Sequence, residues 1–86
     1  MATATKTAVL NSAQREVLDR CRKALHWAKS LEEYFTVEPA ANEEMIRLYA
    51  KNNIVTGVIM RDLCEACGHT CAVAVDCDHR VYVLCN

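Results

Sequence analysis

The chain has 86 residues, with 10 Lys and Arg against 11 Asp and Glu and a formal charge of −1 when histidine is neutral. So even a balance argues against a protein that lives on phosphate contacts, which shows a basic excess or stripe. The length is that of one domain, residues 1–86, near the size at which an apolar core alone supplies only a few kcal/mol and a staple is often added. No apolar run reaches signal-peptide or membrane-spanning length, so the expectation is a soluble, cytoplasmic protein with no membrane partner.

Residues 1–10 are rich in Thr and Ala without periodicity and read as a flexible lead-in. A helix is expected over residues 12–35, capped by Asn11 or Ser12. Its signal is a seam at alternating spacings of four and three: Val17, Cys21, Ala24, Ala28, Leu31 and Phe35. Leu18, Leu25 and Trp27 widen that seam, while Arg15 to Asp19, Glu16 to Arg20 and Asp19 to Lys23 form opposite-charge i,i+4 pairs on the wet side. Such a helix would be about 36 Å long, which is long for so small a domain. The seam is expected to pack either on a second helix or across a homodimer or partner protein. Val17, Ala24, Trp27, Ala28, Leu31, Tyr34 and Phe35 are the candidate partner-binding residues. Cys21 reads as a core thiol and His26 as a surface imidazole.

After a connector at residues 36–41, a second helix is expected from Pro39 or Asn42 to Lys51, with Glu43 and Glu44 in its first turn and Met45, Ile46, Leu48, Tyr49 and Ala50 on its apolar face. Asn52 and Asn53 break it. Residues 54–63 fit a strand by their β-branched content and a short helix capped by Asn53 by their spacing, and the helix is the preferred reading. Residues 49–61 faintly resemble a helix-turn-helix, with Ala50 in the first helix, Asn52 and Asn53 as the turn and Thr56 opening the second. That resemblance implies DNA binding, although Arg61 is the only basic residue in the implied recognition helix.

The tail, residues 64–86, holds five of the six cysteines as Cys64-x2-Cys67-x3-Cys71-x5-Cys77-x7-Cys85, with His69 and His79 between them. That density of thiol and imidazole is the pattern of a metal site, and a Cys-x2-Cys pair supplies two ligands of a tetrahedral zinc from one tight turn. Residues 71–75 and 81–85 are β-type runs around a polar turn. With the turn centred on Asp78, Val75 faces Val81, Ala74 faces Tyr82, Val73 faces Val83, Ala72 faces Leu84 and Cys71 faces Cys85. The expected zinc ligands are therefore Cys64, Cys67, Cys71 and Cys85. Cys77 and His79 lie roughly 13 Å out along the strands. A slipped register would bring in His69, Cys77 or His79 as alternates. The Cys-x2-Cys-Gly pair followed by a hairpin resembles the first half of a zinc ribbon over residues 64–76, without the second pair such a ribbon carries.

The expected fold class is α+β, mainly α: two or three helices over residues 11–63, then a C-terminal zinc-stapled hairpin. Six thiols and imidazoles in excess saturate a tetrahedral ion, which argues against an open catalytic zinc. The expected function is a non-catalytic zinc-binding adaptor or inhibitor that docks its helical surface on a larger protein. By analogy of size, such a protein suits a phage or mobile-element regulator of a host or defence complex. A DNA-binding transcriptional regulator is the alternative, and a thiol redox or metal-handling protein stands third.

Overall fold

The first helix begins where the sequence places it. In the computed structural model, which describes residues 10–27, 30–68 and 71–86, helix α1 spans Ser12–Ala24 behind a reciprocal cap. The Asn11 side chain accepts from the Gln14 backbone N–H at 2.8 Å, and the Gln14 side chain accepts from the Asn11 N–H at 3.1 Å. This capping box satisfies two of the donors that a helix start leaves without partners. Both residues also reach across the molecule: Asn11 Nδ2 donates to the Glu43 carbonyl and the Gln14 amide to that of Met45. Gln14 is only 4% exposed, and these bonds make its burial tolerable.

The helix ends at Ala24, eleven residues short of Phe35. Leu25 leaves helical geometry and sits in the core at 1% exposure. Of the seam, Val17 and Cys21 come from α1, Leu31 from a short 3-10 turn at Leu31–Glu33, and Phe35 from a strand. All four are buried, so one unbroken spacing is shared among three elements. The physical reason is size. A helix of about 36 Å would outrun the molecule, whose longest extent is 34 Å, and would carry its apolar end away from the core.

The expected second helix is instead a hairpin of β1 (Phe35–Pro39) and β2 (Ile46–Ala50). Its loop is closed by Ala40 N–H to the Met45 carbonyl, Met45 N–H to the Asn42 carbonyl and Glu44 N–H to Asn42 Oδ1. Ile46, Leu48 and Ala50 alternate with Arg47 and Tyr49, a period of two that the sequence carries alongside the helical pattern. Strand pairing on both sides decides the matter: β2 pairs antiparallel with β1 and with β4 (Val81–Cys85), so its backbone groups are satisfied by neighbours remote in sequence.

Lys51–Asn53 form a 3-10 turn in which Asn52 and Asn53 take positive φ of 61° and 54°, a region asparagine tolerates better than most residues. Asn53 does not cap the next helix; its Oδ1 accepts from Val81 N–H at 3.0 Å. Thr56 is the cap, and α2 runs Gly57–Ala66, a helix as preferred for this segment but starting three residues later than expected and continuing through Cys64. Because Tyr49 and Ala50 belong to β2, the segment resembling a helix-turn-helix has no first helix. Strand β3 (Ala72–Val75) then pairs with β4 in the anticipated register, Val75 with Val81 through Ala72 with Leu84.

The result corrects the mainly helical expectation. Among the described residues, two α-helices cover one face of a four-stranded antiparallel sheet of order β1-β2-β4-β3. Phe35, Ile46, Leu48, Val83 and Cys85 join Val17, Leu18, Cys21, Leu25, Ile59 and Leu63 in one core. On the opposite face Tyr49 and Tyr82 stack at 5.1 Å, with the Arg80 guanidinium 4.1 Å above the Tyr49 ring. This cover leaves Tyr49 only 5% exposed although it points away from the helices.

Candidate metal centre

Between the two layers lie three buried cysteines, one from each of three elements. Cys21 is on the inner face of α1, Cys67 is the C-cap of α2 and Cys85 ends β4. Their sulfurs lie within 4.8 Å of one another, close enough to hold a metal ion. Cys21 and Cys67 are 3.9 Å apart. A tetrahedral zinc with bonds of about 2.3 Å places its sulfurs about 3.8 Å apart, so this spacing matches one edge of such a site. Cys71 stands 3.4 Å from Cys85 and 3.5 Å from the Leu63 carbonyl, beside the trio and outside its mutual limit.

The helix geometry explains which sulfur turns inward. Ile59, Leu63 and Cys67 recur at intervals of four on one face of α2 and are all buried. Cys64 is the next residue after Leu63, rotated by about 100° around the helix axis, and is half-buried. The Cys-x2-Cys pair is thus the last turn of a helix and its cap, not a free-standing knuckle. Gly68 follows at φ 63°, the left-handed position that glycine favours after a helix.

Close thiols share protons unevenly. Cys67 is held far below the ordinary thiol range, chiefly by its contact with Cys21 and then by the neighbouring Cys71 and Cys85 sulfurs, with the charge of Arg20 adding to the effect. Cys21 is pushed up by its bond to Cys67 and by burial, Cys85 is pushed up by the three neighbouring sulfurs and burial, and Cys71 is pushed up to about 12, chiefly by Cys67. A metal ion bound by sulfurs this close would take the place of their protons.

Of the residues singled out from sequence, Cys67, Cys71 and Cys85 meet here, and Cys64 lies adjacent. Cys77 is exposed in the β3–β4 turn. His79 is in the same turn at φ 62° and is likewise exposed. His69 and Ala28 lie outside the described residues. Cys21 was read as a core thiol, yet it joins the cluster from 46 residues away in sequence. Its only signal was a cysteine at an inward position of a helix seam. Of the candidate partner residues, Val17, Leu31 and Phe35 serve the core and Ala24 is half-buried.

Trp27 and Tyr34 remain at the surface, 45% and 39% exposed, with ring centroids 5.8 Å apart. Trp27 Nε1 donates to Asp62 Oδ2 at 2.8 Å, and Val58, one turn before Asp62 on α2, is half-exposed. A groove of about 300 Å³ opens next to Tyr34, lined also by Ile54, Thr56 and Ile59. Among the described residues no helix is long and apolar enough to cross a membrane. Compared with known protein families, curated proteins and solved structures, the chain matches none.

Proposed function

We propose that this protein is a non-catalytic, zinc-stapled binding module that acts as an adaptor or inhibitor by docking on a larger protein. The observation that carries the zinc is the cluster of Cys21, Cys67 and Cys85, buried and within 4.8 Å of one another. All-sulfur ligation suits zinc among the divalent ions. Each ligand comes from a different element, so the ion holds α1, α2 and the sheet together, and its binding free energy becomes folding free energy. A domain of this size gains most from such a staple.

The docking half of the reading rests on large apolar side chains left exposed: Tyr34 and Ile54, which line one groove, Trp27, whose ring lies against Tyr34, and Val58 on α2. Aromatic anchors of this kind dominate the energetics of protein interfaces. The test of the zinc is direct. Protein purified under reducing conditions without added metal is expected to carry one equivalent of zinc, and a chelator is expected to loosen α1 and β4 together. Thiols free of metal in the folded, reduced protein would reject this function.

A further inference from the structure

The buried trio leaves one corner of a tetrahedron to fill, and two half-buried thiols stand near it, Cys64 and Cys71. We propose that Cys71 is the fourth ligand, so that Cys21, Cys67, Cys71 and Cys85 form a closed tetrathiolate site while Cys64 stays a free thiol beside it. This rests on the zinc reading above and assigns its coordination.

Register is the first argument. Ala72 pairs with Leu84 in the β3–β4 ladder, so the next residue outward, Cys71, faces Cys85, and their sulfurs are 3.4 Å apart. With Cys21 to Cys67 at 3.9 Å, two opposite edges of a sulfur tetrahedron stand on either side of the ideal of about 3.8 Å. Cys71 precedes β3 rather than lying within it, so its side chain turns without disturbing the ladder. Its thiol has one proton for two acceptors, the Leu63 carbonyl and Cys85. When that proton leaves to solvent on metal binding, the attraction to the carbonyl goes with it, and the sulfur is released toward the trio.

Cys64 lacks these features. The helix rotates it about 100° away from the inward line of Leu63. A site closed by four sulfurs keeps no open position for water or substrate, in accord with a structural rather than catalytic ion.

Cobalt(II) bound by the reduced full-length chain provides the test, because the intensity of its sulfur-to-metal charge-transfer band per bound ion counts the thiolates. Wild type and Cys64→Ser are expected to give the same intensity, and Cys71→Ser to lose about a quarter of it as four sulfurs become three. Should Cys71→Ser fail to fold, Cys64→Ser still decides: any loss of intensity there overturns the assignment, as does full intensity in Cys71→Ser. A wild-type protein that takes up no cobalt and carries no zinc would remove the underlying zinc reading as well, and would be recognised by equal silence in every variant.

Discussion

Cys21→Ala separates a core thiol from a metal ligand, because the two roles respond differently to metal. Cys21 is fully buried and 3.9 Å from Cys67. Removing its sulfur from a packed site costs about 1 kcal/mol, the value of one buried methylene-sized group with a small cavity. That cost is present with or without metal. If Cys21 also binds zinc, the variant loses in addition much of the stabilisation that the bound ion confers on the native state, which is about 4 kcal/mol at a free metal concentration a thousand times the Kd. Urea unfolding of wild type and variant, reduced throughout, would be measured once with a chelator and once with buffered zinc. The expected difference in stability is about 1 kcal/mol with chelator and several-fold larger with zinc. Equal differences in the two conditions would refute the reasoning and return Cys21 to an ordinary core role.

Leu48→Ala, at a fully buried position of the central strand β2, is expected to destabilise by about 2–5 kcal/mol, read from the denaturant midpoint; a surface-like loss below about 0.5 kcal/mol would contradict a two-layer core. Asp76 accepts the backbone N–H groups of Arg80 and Asp78, which hold its carboxyl below the ordinary aspartate range. A depressed folded-state pKa contributes stability that is present above the unfolded value and lost as pH falls through the folded one. The β3–β4 turn should therefore weaken below about pH 4, seen as lost protection of the Arg80 and Asp78 amides that Asp76 holds, and Asp76→Ala should remove that pH dependence. Trp27 is the only tryptophan and is nearly half-exposed, so its emission should be that of a solvated indole and should shift to shorter wavelength when a partner covers it. Trp27→Ala should abolish partner capture while leaving metal content unchanged, and retained capture would move the docking surface elsewhere.

Local chemistry determined several features from sequence alone. Asn11 marks where α1 starts, and the β-type runs around Asp78 set the β3–β4 register from Val75 with Val81 to Ala72 with Leu84, because a hairpin's register is dictated by its own turn and alternation. The helical spacing of residues 54–63 was legible too, since an amphipathic helix needs only its own residues to declare its face. The thiol-rich tail announced a cysteine cluster, and two of its thiols, Cys67 and Cys85, lie with Cys21 close enough to hold a metal ion.

Tertiary structure decided the rest, and in each instance the deciding partner lies far away in sequence. Residues 46–50 suit a helix and a strand equally in isolation; the ladder with β4, through pairs such as Leu48 with Val83, selects the strand. The seam from Val17 to Phe35 is compatible with one long helix until the size of the core requires the chain to turn after Ala24. Which cysteines converge is likewise a property of packing. The Cys-x2-Cys spacing brings Cys64 and Cys67 near each other in a loop, but at the end of a helix it points one inward and the other about 60° away. Cys21 reaches the cluster only because α1 packs against α2, a contact that no spacing within the tail can encode.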